Sequence, residues 1–296
     1  MGASESIQNE FFRAVVERCI AECCVHFGER LVVIYVYGSV HRDEAVPGVS
    51  DLDAGIFTTD GFSPQDAEWR SQINDRLNME FPSLPSGWMP RAIGVGWART
   101  DATMSEADEA VLQAALRGIM QEVRPDAEAS TLLRRRGGAY LLRYDATRVW
   151  GKYLTSGQAV PPPDALWARV AFQCPWDGVR HAAGLGTARQ TAFTEENVTE
   201  WGLPEEPARK IRKQARLAVL GGAYLLMACG EFRSYRACDV LPPLARSFPQ
   251  WTAFLEQTNR LCVELADAPE KEAEVYLKQL VSWMDFLEEC FPTLAD

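Results

Sequence analysis

Histidine is scarce in this 296-residue chain, which has three: His26, His41 and His181. The eight cysteines show no repeated C-x-x-C spacing, so no zinc finger or His-rich metal centre is expected. Cys19, Cys23 and Cys24 fall at helical spacing near the N-terminus and read as small core residues. A chain of this size needs no disulfide staples, and its scattered thiols suit a reducing cytoplasm. No apolar run approaches the roughly 20 residues that a bilayer span requires. The opening "MGASESIQNEFFRAVVERC" lacks a basic segment leading into an apolar one, so no secretory signal is read. Its Met-Gly start, with Ser6, lacks the second membrane signal of a stable lipid anchor. Lysine and arginine number 30 against 41 acids, a net charge of −11. That counts against an extended nucleic-acid partner, whose phosphates need a basic footprint. It is compatible with a small or cationic substrate. A Walker loop, a G-x-G-x-x-G after a strand, a Ser-His-Asp set, internal repeats and low-complexity tracts are all missing from the sequence.

The sequence is rich in ordered elements. Apolar positions such as Phe11, Val15 and Ile20 predict a helix over 5–27, closed by Gly28. "LVVIYVY" (31–37) predicts a strand buried on both faces, with "DLDAGIF" (51–57) as its neighbour. Ser63 and Pro64 open a helix as cap and first residue. "RAIGVGWA" (91–98) predicts a third strand, weakened by two glycines. Helices are predicted from Ser105 to about Val123 and over 127–142, then a short strand over 147–151. The break "TSGQAVPPPDA" sets a domain boundary, because three prolines continue neither a helix nor a central strand. Beyond it the pattern is helical, over roughly 164–173, 207–229, 235–246, 249–266 and 270–290. The expected layout is an α/β domain with a small mixed sheet over 1–158 and an all-helical domain over 159–296.

Chemistry concentrates in "LVVIYVYGSVHRDEAVPGVSDLDAGIF" (31–57). In an extended chain Asp51 and Asp53 project to one face while Leu52 points to the other. Two neighbouring carboxylates resist ionising together unless a cation lies between them. Mg²⁺ fits that need, as a hard ion taking one or two carboxylates plus phosphate oxygens and water. Gly38 lets backbone approach a phosphate closely, and Ser39 offers a hydroxyl and an N–H. The plainer reading of D-x-D alone is an edge strand with solvent-facing acids. The joint pattern is more specific: apolar strand, Gly-Ser, short loop, Ser-Asp-x-Asp, apolar strand.

That pattern resembles the nucleotidyltransferase superfamily that includes DNA polymerase beta. Within it the chain looks most like the aminoglycoside adenylyltransferases of the streptomycin/spectinomycin type. "MPRAIGVGWA", "DATRVWGKYL" and "ARLAVLGGAYLLMACGEFRSYRACDVLPPLA" extend the similarity weakly over most of the length. The resemblance implies a catalytic nucleotidyltransferase domain and a helical domain that closes the nucleotide and acceptor cleft. It implies transfer of AMP from ATP, as co-substrate, to a small-molecule hydroxyl, with an aminoglycoside-like antibiotic as the acceptor expected. By the same resemblance Gly38 and Ser39 hold the triphosphate, and Asp51 and Asp53 hold Mg²⁺. Two departures stand out. Where the family has a glutamate as general base, this chain has Gly94. Asp101 is the nearest substitute, Asp177 or Glu231 are further candidates, and the base could also be lacking altogether. Where a lysine is expected to reach the phosphates stands Tyr235, flanked by Arg233 and Arg236, and Arg236 is expected to take over the charge. The Gly94 gap leaves open a degenerate member that binds nucleotide or a partner without catalysis. A nucleotidyltransferase modifying a protein or RNA is the further alternative.

Other clusters carry two readings each. Arg209, Arg212, Lys213 and Arg216 make one cationic stripe on a predicted helix, either a solvated face or a counterweight to phosphate. "RRRGG" (134–138) reads as a surface helix end. Trp167, Trp176 and Asp177, with Glu195 and Glu196, combine flat and acidic groups that suit a cationic polyol, or pack as core. His41 follows the Gly-Ser turn and could touch phosphate or do nothing.

Overall fold

A computed structural model describes residues 6–61, 63–84, 91–93, 104–152, 161–185, 207–263 and 270–292. In chain order the elements are α1 (Glu10–Phe27), β1 (Leu31–Tyr37), the short α2 (Gly38–His41), β2 (Ala54–Thr58), α3 (Pro64–Glu80) and β3 (Arg91–Ile93). They continue with α4 (Glu106–Met120), α5 (Ala127–Tyr144), β4 (Ala146–Gly151), α6 (Ala165–Ala182), α7 (Pro207–Ala228), α8 (Ala237–Ser247), α9 (Thr252–Val263) and α10 (Glu270–Cys290).

The four strands form one mixed sheet in the order β3-β2-β1-β4. Strand β1 pairs antiparallel with both β2 and β4, and β2 pairs parallel with β3. The continuous apolar run of β1 is explained by its central place, since both its faces are covered. Its even residues Ile34 and Val36 join Leu52, Ala54 and Ile56 beneath α1 and α3, which contribute Phe12, Val15, Cys19, Cys23, Ile73 and Leu77. Its odd residues Val33, Tyr35 and Tyr37 join Phe57 and Leu142 of α5 on the other face. Each fully buried Phe or Ile in these layers contributes about 2 kcal/mol. Cys19 and Cys23 are core residues, as expected. A hydrogen bond to Cys19, followed by burial, pushes the Cys23 thiol well above its ordinary pKa, so it stays protonated and unreactive.

The chain divides into two compact units, but not at one boundary. Residues 1–104 and 134–161 form the first, and 105–133 and 162–296 the second. The expected division was a single one at 158/159, with α4 in the first domain, whereas the compact units place α4 with α6. That helix packs against α6, and Gln113 donates to the Asp164 carboxylate at 3.0 Å while Asp164 caps α6 through the Trp167 N–H. "RRRGG" is no helix end either. Helix α5 runs on through it, and Arg136 is buried with its guanidinium over the Tyr140 ring. In the second unit α7 is central. Gly221 and Gly222 bring it so close to its neighbours that an added Cβ would lie 2.6 Å from Met284 Sδ and 2.3 Å from Leu244 Cδ1, respectively. No helix among the described residues is long and apolar enough to cross a membrane.

One buried carboxylate joins α1 to α3. Asp66 closes the α3 capping box with Ser63, accepts from both terminal nitrogens of Arg30 and lies 2.7 Å from His26 Nε2. The Arg30 hydrogen bonds outweigh burial and hold the Asp66 carboxyl far below the usual range. Such a group stabilises the fold fully above the unfolded-chain pKa of about 3.9, and the benefit is lost as pH falls toward the folded value. Asp66→Asn should cost about 2–3 kcal/mol near pH 7. In urea unfolding the gap from wild type should narrow as pH drops below about 4.

Candidate functional site at the Gly-Ser turn

Strand β1 ends where Gly38 takes a left-handed conformation, φ +65°, and the chain enters α2. Because β1 leaves the sheet there, its partner has nothing to pair with further back. Strand β2 accordingly starts at Ala54, not at Asp51 as the sequence predicts. One more ladder bond, from the Tyr37 N–H to the Asp53 carbonyl at 2.9 Å, fixes the aspartates at the mouth of the strand. The predicted alternation persists: Leu52 is buried in the core, Asp51 is exposed and Asp53 half-buried.

The Asp53 side chain lies against Gly38. A Cβ built on Gly38 would sit 2.4 Å from Asp53 Oδ2, far inside van der Waals contact. Any side chain at 38 would therefore displace the carboxylate, quite apart from the backbone strain of its positive φ. A second close approach supports the first. Tyr37 lays its ring across Gly55, where an added Cβ would meet the phenol oxygen at 1.4 Å. Gly38 and the Asp53 carboxylate thus meet at one turn, with Ser39 next in the chain to the first and Asp51 two residues before the second. Two carboxylates are a hard oxygen donor set suited to Mg²⁺, whose remaining ligands are typically phosphate and water. Among the described residues no group of three or more His, Cys, Asp or Glu side chains could hold a metal.

The loop after the turn is closely held. The Glu44 N–H donates to the Ser39 carbonyl at 2.9 Å, and Ser50 Oγ accepts from the Val46 N–H at 3.0 Å. Arg42 places its guanidinium on both Asp145 oxygens, at 2.8 and 3.0 Å, and on Glu44 at 3.0 Å. Burial works against the Arg42 charge, yet Asp145 and Glu44 together hold its pKa above the ordinary value. His41 is 2.7 Å from Thr147 Oγ1 through Nδ1, which gives it a structural partner in β4. Sequence reading missed Arg42, Asp145, Thr147 and Tyr37. The only signal for the first two was an opposite charge at either end of two segments that contact order brings together, which no local pattern reveals.

The remaining expected residues are placed differently. Asp101 and Gly94, with Glu195 and Glu196, lie outside the described residues. Trp176 is buried within the helical unit, its indole N–H donates to Glu288 at 3.0 Å, and Arg180 covers its ring. Asp177 is 4% exposed beside it. These two are interior residues of α6, not an exposed platform. Tyr235 is also buried, its ring against Tyr224 and Phe232, while its carbonyl accepts from Arg216 at 2.6 Å. Arg216 therefore leaves the cationic stripe for a structural bond. Arg233 is exposed and Arg236 half-buried at the start of α8, and Glu231 is exposed.

No family model matches the chain, and no curated protein does. Its trace is similar to the crystal structure of spectinomycin adenyltransferase AAD(9) from Enterococcus faecialis with ATP and spectinomycin, at 12% identity and a TM-score of 0.47, covering 92% of this chain and 98% of that one.

Gly38→Ala should destabilise the protein by about 1–3 kcal/mol in urea unfolding. The loss should be smaller in an Asp53→Ala background, where the clashing carboxylate is gone, and the difference measures their coupling.

Proposed function

We propose that this chain is a nucleotidyltransferase that moves AMP from ATP to a hydroxyl of a small molecule and releases pyrophosphate. The observation that carries the reading is Gly38, left-handed and set against the Asp53 carboxylate, with Ser39 next in the chain. It supports the reading because it brings the Asp53 carboxylate, two positions from Asp51, against the Gly-Ser turn.

Asp51 and Asp53 would hold Mg²⁺, which when bound neutralises phosphate charge and favours in-line attack at the α-phosphorus. The Ser39 hydroxyl and the N–H groups of the turn meet the triphosphate. By the motif resemblance, Arg236 and Arg233 would supply further positive charge to it. The acceptor oxygen bonds to the α-phosphorus as the bond to the bridging oxygen breaks, and pyrophosphate leaves with that electron pair. The hydroxyl proton passes to a carboxylate. Asp101 takes this role, with exposed Glu231 as the alternative; the burial of Asp177 counts against it. The acceptor is a cationic polyol of the aminoglycoside kind, which an acidic chain attracts. Trp176, with its N–H committed to Glu288, is left out of the acceptor contacts.

Asp51→Ala and Asp53→Ala should each lower pyrophosphate release by roughly a thousandfold or more, with the urea midpoint unchanged or raised. Full activity in Asp53→Ala would overturn the reading. Gly94, which has no proton acceptor where the family has one, favours a second reading as a nucleotide-binding protein without catalysis. Calorimetric binding of Mg·ATP without pyrophosphate release across a panel of hydroxyl acceptors would decide for it.

A further inference from the structure

The Gly-Ser turn cannot hold its own shape. Helix α2 has four residues, and a helix so short does not repay its nucleation. An i→i−4 bond runs from the Arg42 N–H to the Gly38 carbonyl at 3.1 Å. Left-handed residues stand at both ends, Gly38 at φ +65° and Asp43 at φ +58°. Asp43 has a side chain, so its backbone adds strain that the surroundings must hold.

What surrounds it is a buried ion triad. The Arg42 side chain is 10% exposed, Glu44 6% and Asp145 11%. Arg42 and Glu44 bracket the strained Asp43, and the two N–H groups after Arg42 are tied back into the turn, Asp43 to the Val40 carbonyl at 3.4 Å and Glu44 to the Ser39 carbonyl at 2.9 Å. Asp145 arrives from 103 positions later in the chain, between α5 and β4. Both its oxygens accept from Nη1 of the guanidinium while Nε donates to Glu44, so one plane spans the two carboxylates. Two residues on, Thr147 holds His41. The C-terminal end of the turn is thereby fastened to the start of β4, while its N-terminal end is fixed by the β1–β2 ladder.

We infer that Asp145, acting through Arg42, is a positioning residue that locks the Gly38–Ser39 turn in the shape that meets phosphate. The lock itself follows from geometry; its consequence for nucleotide rests on the function proposed above. Asp145 touches no reacting atom, so the readout is the order of the turn.

The test is hydrogen exchange at single amides, with Mg·ATP titration on the same samples. In Asp145→Asn the Asp43 and Glu44 amides should exchange roughly tenfold faster or more, while the Tyr37 amide, paired with Asp53 in the ladder, keeps its wild-type rate. Mg·ATP affinity should fall by roughly tenfold. Arg42→Lys keeps the charge but cannot span Asp145 and Glu44 from one plane; it serves if Asp145→Asn does not fold, and should show the same pattern more weakly. Unchanged Asp43 and Glu44 exchange would overturn the proposal. So would acceleration shared with Tyr37, which would mark a general loss of stability. If the turn loosens as expected but wild-type protein has no affinity for Mg·ATP, the lock stands and the nucleotidyltransferase reading falls.

Discussion

The structure around the candidate site depends on one steric fact: the place that a side chain would fill at position 38 is taken by the carboxylate of Asp53. The end of β1 can lie this close to the mouth of β2 only because position 38 has no side chain. It also explains why the strand order matters. Only with β1 central, paired to β2 on one side and β4 on the other, does the chain leaving β1 find an acid from one neighbour and a fastening point on the other. The core residues beneath α1 and α3 keep that register, since a slip by one would turn Leu52 outward and the aspartates inward.

Much of this was legible in the sequence. The run 31–37, Gly-Ser, and the alternation of Asp51, Leu52 and Asp53 specify the turn, its strands and the pair of acids through local rules of pleat and glycine conformation. The capping boxes at Ser63 and Ser105 fixed helix starts to within a residue. What escaped was long-range. The packing of α4 on α6, with Gln113 bonded to Asp164 51 positions on, is such a contact. Trp176 looked like a ligand surface because composition cannot say which tryptophan has an acid waiting inside the fold. Arg136 looked exposed for the same reason, since three consecutive arginines on a helix must point in three directions and one of them here points inward.

The chain is acidic overall, and three of its arginines hold elements together. Arg30, Arg42 and Arg216 are each engaged with a carboxylate or a carbonyl. Each fastens one element to another: α3 to the chain ahead of β1, the turn to β4, and α7 to the segment before α8. Arginine suits all three because its planar fork keeps its charge when partly desolvated and can serve two acceptors at once.

Arg42, Glu44 and Asp145 carry a further consequence, for behaviour on heating. Free ions are hydrated less favourably as temperature rises, so the penalty for withdrawing these three from water shrinks, whereas the gain from apolar burial levels off. Warmth thus erodes the greasy layers beneath α1 and α3 in relative terms while sparing the charged clasp. The bend that presents Ser39 is built from the component of this fold that heat weakens least.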